Sequence, residues 1–162
     1  MPIVRTKIRR AAATSLLVAA VAVIAMAGLV TPATAADIGQ IKVSKGQVSV
    51  ERNGATLPGE VGTRLQSADV LKTGPDGSVG ITMSDNSVLS AGPNSVLSLD
   101  RYEFDGTDKG KFDAQLKKGS LSVISGRIAK QSPDAMTIRT PSAILGVRGT
   151  EFVVTANDWT GN

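Results

Sequence analysis

From residue 50 onward the chain is cut at short intervals by pairs of residues that reverse a backbone: Asn53-Gly54, Gly74-Pro75-Asp76-Gly77, Asp85-Asn86, Gly92-Pro93-Asn94, Asp105-Gly106, Lys118-Gly119 and Ser125-Gly126. Glycine and asparagine tolerate positive φ and proline presets its own φ, so each is a place where the chain can turn. The intervening segments alternate with a period of two. Val79, Ile81 and Met83 alternate with Gly80 and Thr82; Phe112, Ala114 and Leu116 with Asp113 and Gln115; Leu121 and Val123 with Ser120 and Ser122. Such alternation sets one strand face on a core and the other in water. No sustained helical period lies between the turns, and the expectation is an all-β domain of stacked short antiparallel strands forming a sandwich or roll. A β-solenoid is the second architecture, because Ser-Val recurs at residues 78, 87 and 95 and Gly-Pro at 74 and 92. Val79, Ile81, Leu97, Leu99, Leu121, Val123, Ile138 and Phe152 are expected to share one core.

The first 35 residues differ from the rest. Arg5, Lys7, Arg9 and Arg10 precede an apolar run from Ala11 to Val30, and Ala33-Thr34-Ala35 ends in a small-x-small pattern. This is the layout of a signal peptide cleaved before Ala36. A retained anchor is the competing reading, because about twenty apolar residues can span a bilayer. With no cysteine in the chain, a cysteine-linked lipid anchor is excluded. The expected organisation is a signal peptide at 1–35, N-terminal strands at 36–56, a β domain at 57–155 and a short tail at 156–162. The mature protein is then periplasmic or extracellular and meets the membrane only through its leader.

Export changes the charge balance. The leader holds four of the 18 Lys and Arg residues and none of the 14 Asp and Glu, so the mature chain is balanced. A balanced chain lacks the cationic field through which counterion release drives nucleic-acid binding, and a nucleic-acid partner is not expected. The mature length suits one domain burying about two-thirds of its unfolded-state surface. Without disulfides, burial has to carry the stability.

The available chemistry is narrow. The chain has no histidine and no cysteine, which removes the usual general base, the thiol nucleophile and the common zinc ligands. Ser44-Lys45 is adjacent in sequence and would point to opposite strand faces, so it is a poor dyad. No catalytic residue and no cofactor is expected. Asp105-Gly106-Thr107-Asp108-Lys109-Gly110 offers oxygen ligands, yet lacks the third acid and the closing glutamate of a calcium loop. It is read as a connection between a strand ending near Phe104 and one starting near Lys111, with no metal.

One stretch is more specific than these patterns. Thr140-Pro141-Ser142-Ala143-Ile144-Leu145-Gly146-Val147-Arg148-Gly149-Thr150-Glu151-Phe152 resembles the closing signature of the FecR domain. The resemblance extends upstream through Gly62-Thr63-Arg64-Leu65, Asp69-Val70-Leu71-Lys72-Thr73-Gly74, Gly77-Ser78-Val79, Asp85-Asn86-Ser87-Val88-Leu89 and Leu116-Lys117-Lys118-Gly119. It implies a periplasmic β-rich module. Regulators of this family typically join such a module to a transmembrane helix and a cytoplasmic anti-sigma segment. Only ten residues precede the apolar run here, so a free-standing exported FecR-domain protein is expected instead.

The candidate partner-binding residues are Arg148, Thr150 and Trp159. Two readings of Arg148 compete. Either the flanking glycines make a bend and Arg148 pairs internally with a carbonyl or carboxylate, or its guanidinium fork meets a partner; the internal pairing is the simpler. The segment Glu151–Thr155 is expected to accept a strand from a partner or a second copy if it lies at a sheet edge, with Trp159 covering that edge or anchoring the contact. The leading function is a non-catalytic binding or envelope-assembly module whose partner is an envelope protein or cell-surface component. The alternatives are a periplasmic signalling component acting through a separate membrane receptor or sensor, and a structural envelope protein.

Overall fold

Strands β1 (Gly39–Lys45), β2 (Val48–Arg52), β3 (Ala55–Pro58), β4 (Arg64–Leu65), β5 (Val70–Thr73), β6 (Ser78–Met83), β7 (Val88–Ala91), β8 (Val96–Phe104) and β9 (Gly110–Ile124) are followed by one helical turn, α1 (Arg127–Gln131). The chain then adds β10 (Met136–Arg139), β11 (Ile144–Gly146) and β12 (Glu151–Ala156). The computed structural model describes residues 35–107, 109–131, 134–149 and 151–157. Residues 1–34 of the expected leader, Asp108 of the oxygen-rich loop, Thr150 and Trp159 lie outside the described residues.

The alternating segments form strands with the expected faces. In β6, Val79, Ile81 and Met83 are buried and their neighbours are not. Asn53 and Gly54 both take positive φ, 51° and 80°, and close a two-residue hairpin in which Arg52 opposes Ala55, the geometry that matches strand twist. The oxygen-rich loop does connect β8 to β9, which pair across it at Phe104 and Gly110.

Lys118-Gly119 departs from expectation. The chain does not reverse there: β9 runs through Gly119, which takes a φ of 92° inside the strand. The strand bends at this point and passes from one sheet to the other. Before the bend, β9 lies between β8 and β10, with Phe112 opposite Tyr102 on one side and Met136 on the other. After it, β9 lies between β7 and β12, with Val123 opposite Leu89 and Phe152. One sheet thus runs β4-β1-β6-β7-β9-β12 and the other β3-β2-β5-β8-β9-β10-β11. Together they make a single twelve-stranded sheet curled over a core.

The fold is all-β, with the pairing of β9 and β10 parallel rather than antiparallel. The α1 turn makes this possible by carrying the chain back before β10 begins. Asp85 caps its start, accepting the Arg127 amide on its carbonyl and the Ile128 amide on Oδ2, while Ile128 and Ala129 drop into the core. The Ser-Val repeats do not form equivalent coils: Val79 is buried, whereas Val88 and Val96 are half-buried. Of the expected core residues, Val79, Ile81, Leu97, Leu99, Leu121, Val123 and Ile138 are buried, and Phe152 is partly buried against them. No helix among the described residues is long and apolar enough to cross a membrane.

Candidate functional site

The signature begins with a small closed loop. Thr140 donates its amide to the Ala143 carbonyl at 2.8 Å, and its Oγ1 accepts the Ala143 amide at 3.0 Å. This hydrogen bonding turns β10 into β11, setting Ile138 opposite Leu145 and Arg139 opposite Ile144. Val147 then pins the chain: its amide donates to the Met136 carbonyl at 2.9 Å and its side chain is buried. Gly149 takes a φ of 59° with open space around the position a Cβ would occupy, so it serves a bend and not a close approach.

Arg148 corrects the simpler expectation. Its side chain is exposed and forms no hydrogen bond or ion pair with the described residues. The buried Val147 beside it, and not an internal pair made by Arg148, fixes this segment. Ile144 is also exposed, at 73%. Thr150 and Trp159 lie outside the described residues, so Arg148 is the candidate whose surroundings are defined.

Beside Arg148 lies a groove of about 320 Å³ lined by Leu145, Gly146, Val147, Phe152 and Val153. It runs between β11 and β12, the last strands of the two sheets on this side of the fold. Its walls carry no charged side chain. A second, more polar cleft of about 250 Å³ involves Asp37, Gln40, Lys42 and Arg64. There Arg64 and Asp37 already pair at 3.0 Å and the Lys42 amine donates to Gln40 Oε1, so its charges are largely satisfied within the protein.

The remaining motif residues hold the fold. Asp69 is fully buried and receives a two-pronged hydrogen bond from Arg52, at 2.8 and 2.7 Å, together with the Gln66 amide at 2.8 Å. The hydrogen bond to Asp69, ahead of the opposing effect of burial, raises the Arg52 pKa further. Asp85 is equally buried and joins three segments: its own turn, β8 and α1. Its carboxylate accepts from the Ser87 amide and hydroxyl, the Tyr102 hydroxyl and the Ile128 amide, and its own amide donates to the Tyr102 oxygen at 2.8 Å. Burial, reinforced by the negative charge of Asp85, raises the Tyr102 pKa well above its ordinary value.

Both carboxylates are thus occupied by structural donors. Ser44 donates its hydroxyl to the Gly59 carbonyl. Asp105 accepts the Thr107 amide and hydroxyl in a local turn, which lowers its pKa. Among the described residues no group of three or more His, Cys, Asp or Glu side chains could hold a metal. Sequence reasoning missed Ile144 and Val153 as surface features. The contiguous apolar runs Ala143-Ile144-Leu145 and Phe152-Val153-Val154 carry a signal, since alternate residues of an edge strand must face outward.

Comparison with known proteins returns no match among curated proteins and none among solved structures. A family model described as FecR protein matches residues 69–160, which takes in Asp69, Asp85, the β9 bend and the signature, and leaves Gly62-Thr63-Arg64-Leu65 outside. With more than half of its length matched, the chain belongs to the FecR protein family.

Proposed function

We propose that this chain is an exported, non-catalytic FecR-domain module that binds an envelope protein or cell-surface component through the tip of the β10–β11 hairpin and the loop after it. One observation carries the reading. Within a signature anchored by the buried Val147 and the half-buried Leu145 and Phe152, Ile144 and Arg148 present large side chains that face solvent beside an uncharged groove. An exposed apolar side chain next to an exposed arginine is a common composition for a protein contact. Membership of a family of signalling regulators supports a second form of the same reading, in which the bound partner is a separate membrane receptor or sensor.

A photo-crosslinking residue placed at 144, 148 or 61 in intact cells tests the site. Val61 is the control, because it is exposed and apolar but lies in the loop before β4. Discrete adducts from 144 and 148 and none from 61 support the proposal, and mass spectrometry of the adduct separates a receptor from another envelope component. Equal adducts from all three positions, or none, overturn it.

A further inference from the structure

Strand β12 is an edge of its sheet: it pairs with β9 and with no other strand among the described residues. Edges usually carry protection, through brevity, proline, lysine or an inward-pointing charge. The other edges show it. β3 ends in Pro58, β4 has two residues and β11 three. By contrast, β12 has six residues, no proline, no lysine and no inward charge. Phe152, Val154 and Ala156 point inward, opposite Val123, Leu121 and Gly119. Glu151, Val153 and Thr155 point outward, with Val153, opposite Ser122, 70% exposed and Ile124, opposite Glu151, 47% exposed.

The strand is complementary to itself. We infer that a second copy of this chain pairs its own β12 antiparallel to this one, with the twofold axis passing between the two Val153 residues. In that register Val153 opposes Val153, Phe152 opposes the second copy's Val154, and Glu151 opposes its Thr155. Every inward residue meets an inward one and every outward residue an outward one, so the two curled sheets join into one. The strand's single charge meets a hydroxyl and never its own kind, which avoids the penalty of like charges directly opposed. A slip of one residue would set inward Phe152 against outward Thr155 and is excluded by the pleat. The pairing is isologous and uses both β12 edges, so it closes as a dimer and does not propagate. This inference goes beyond the proposed partner contact: Ile144 and Arg148 lie outside the paired strand, whereas Phe152 and Val153 of β12 form one wall of the groove beside them.

Sedimentation and light scattering of the full chain across concentration test the association, and the cysteine-free sequence supplies a clean test of register. Directly opposed residues have Cβ atoms about 4.5–5.5 Å apart, close to disulfide reach, so V153C is expected to form a disulfide dimer under oxidation. T155C places its two thiols roughly 13 Å apart along the strands and is expected not to. V153K sets two ammonium groups together at the axis and should weaken association roughly tenfold or more. Because Val153 is exposed, its monomer should melt as the parent does. A protein that stays monomeric throughout, T155C crosslinking as readily as V153C, or V153K dimerising like the parent each overturns the inference. So does β12 taking up a foreign strand while two copies never pair.

Discussion

Gly119 lies against Ser95 so closely that a Cβ built on the glycine would sit 2.1 Å from the serine hydroxyl oxygen and 2.5 Å from its Cα. Rotating the serine side chain cannot relieve the second contact, because that atom is backbone. The φ of 92° adds a conformation that side chains rarely adopt. Gly119→Ala should therefore lose about 3–5 kcal/mol, by analogy with overpacking in a dense core added to backbone strain. Gly54→Ala is the comparison: it also has positive φ, but nothing lies within 4 Å, and it should lose only about 1 kcal/mol. Urea unfolding of both variants checks the difference.

Arg52 and Asp69 supply a second prediction. Removing the guanidinium leaves a fully buried carboxylate with only the Gln66 amide as a donor. Breaking a fully buried pair costs about 3–5 kcal/mol. Arg52 keeps 23% side-chain exposure, so water can partly replace it and Arg52→Ala should cost about 2–4 kcal/mol. Arg52→Lys should recover only part of the loss, because an ammonium cannot reproduce the two-pronged bond. Equilibrium denaturation measures both.

Alkaline stability should report on Tyr102, the chain's only tyrosine. Burial first, and then the charge of Asp85, hold its pKa above the ordinary value. The unfolded chain thus releases this proton at lower pH than the folded protein does. The resulting contribution is complete below about pH 10, the unfolded value, and fades as pH rises from there through the folded pKa. Melting temperature measured at increasing pH should fall in this window, and Tyr102→Phe should remove that part of the fall. The same variant should start about 1 kcal/mol less stable, having lost its hydrogen bonds to Asp85.

Arg148→Ala separates stability from capture. An exposed side chain with no partner among the described residues should change stability by less than about 0.5 kcal/mol, whereas partner recovery in a pull-down should fall. Ile144→Asp should act in the same direction. A melting temperature lowered by several degrees in Arg148→Ala would assign the residue to the fold.

The leader gives a chemical prediction. Mass spectrometry of the protein recovered from cells should find Ala36 at the N-terminus. An intact Met1 or Pro2 start in the membrane fraction would revive the retained anchor.

Local periodicity made the strands legible, as β6 shows by burying every second residue. Pairing between distant strands was not legible. Nothing local in Met136–Arg139 distinguishes a parallel neighbour from an antiparallel one, and that choice is made by α1 and its cap at Asp85, more than forty residues earlier. The glycine at 119 was visible as a positive-φ position, but the same signal serves a reversal and a bend within a strand. At the candidate site, the flanking glycines correctly marked a bend, yet they implied an internal pair for Arg148 where a buried Val147 holds the chain instead. The groove was hidden for a similar reason: it exists only because β11 and β12 finish different sheets side by side.

The sharing of β9 between both sheets also sets an order of events. Strands β7, β8, β10 and β12 all pair with it, so neither sheet can be completed until residues 110–124 have been made and the bend at Gly119 has formed. Folding dominated by such distant pairings is slow. If the chain is exported as proposed, that delay is useful: the central strand arrives late in synthesis, so neither sheet can close before transport begins.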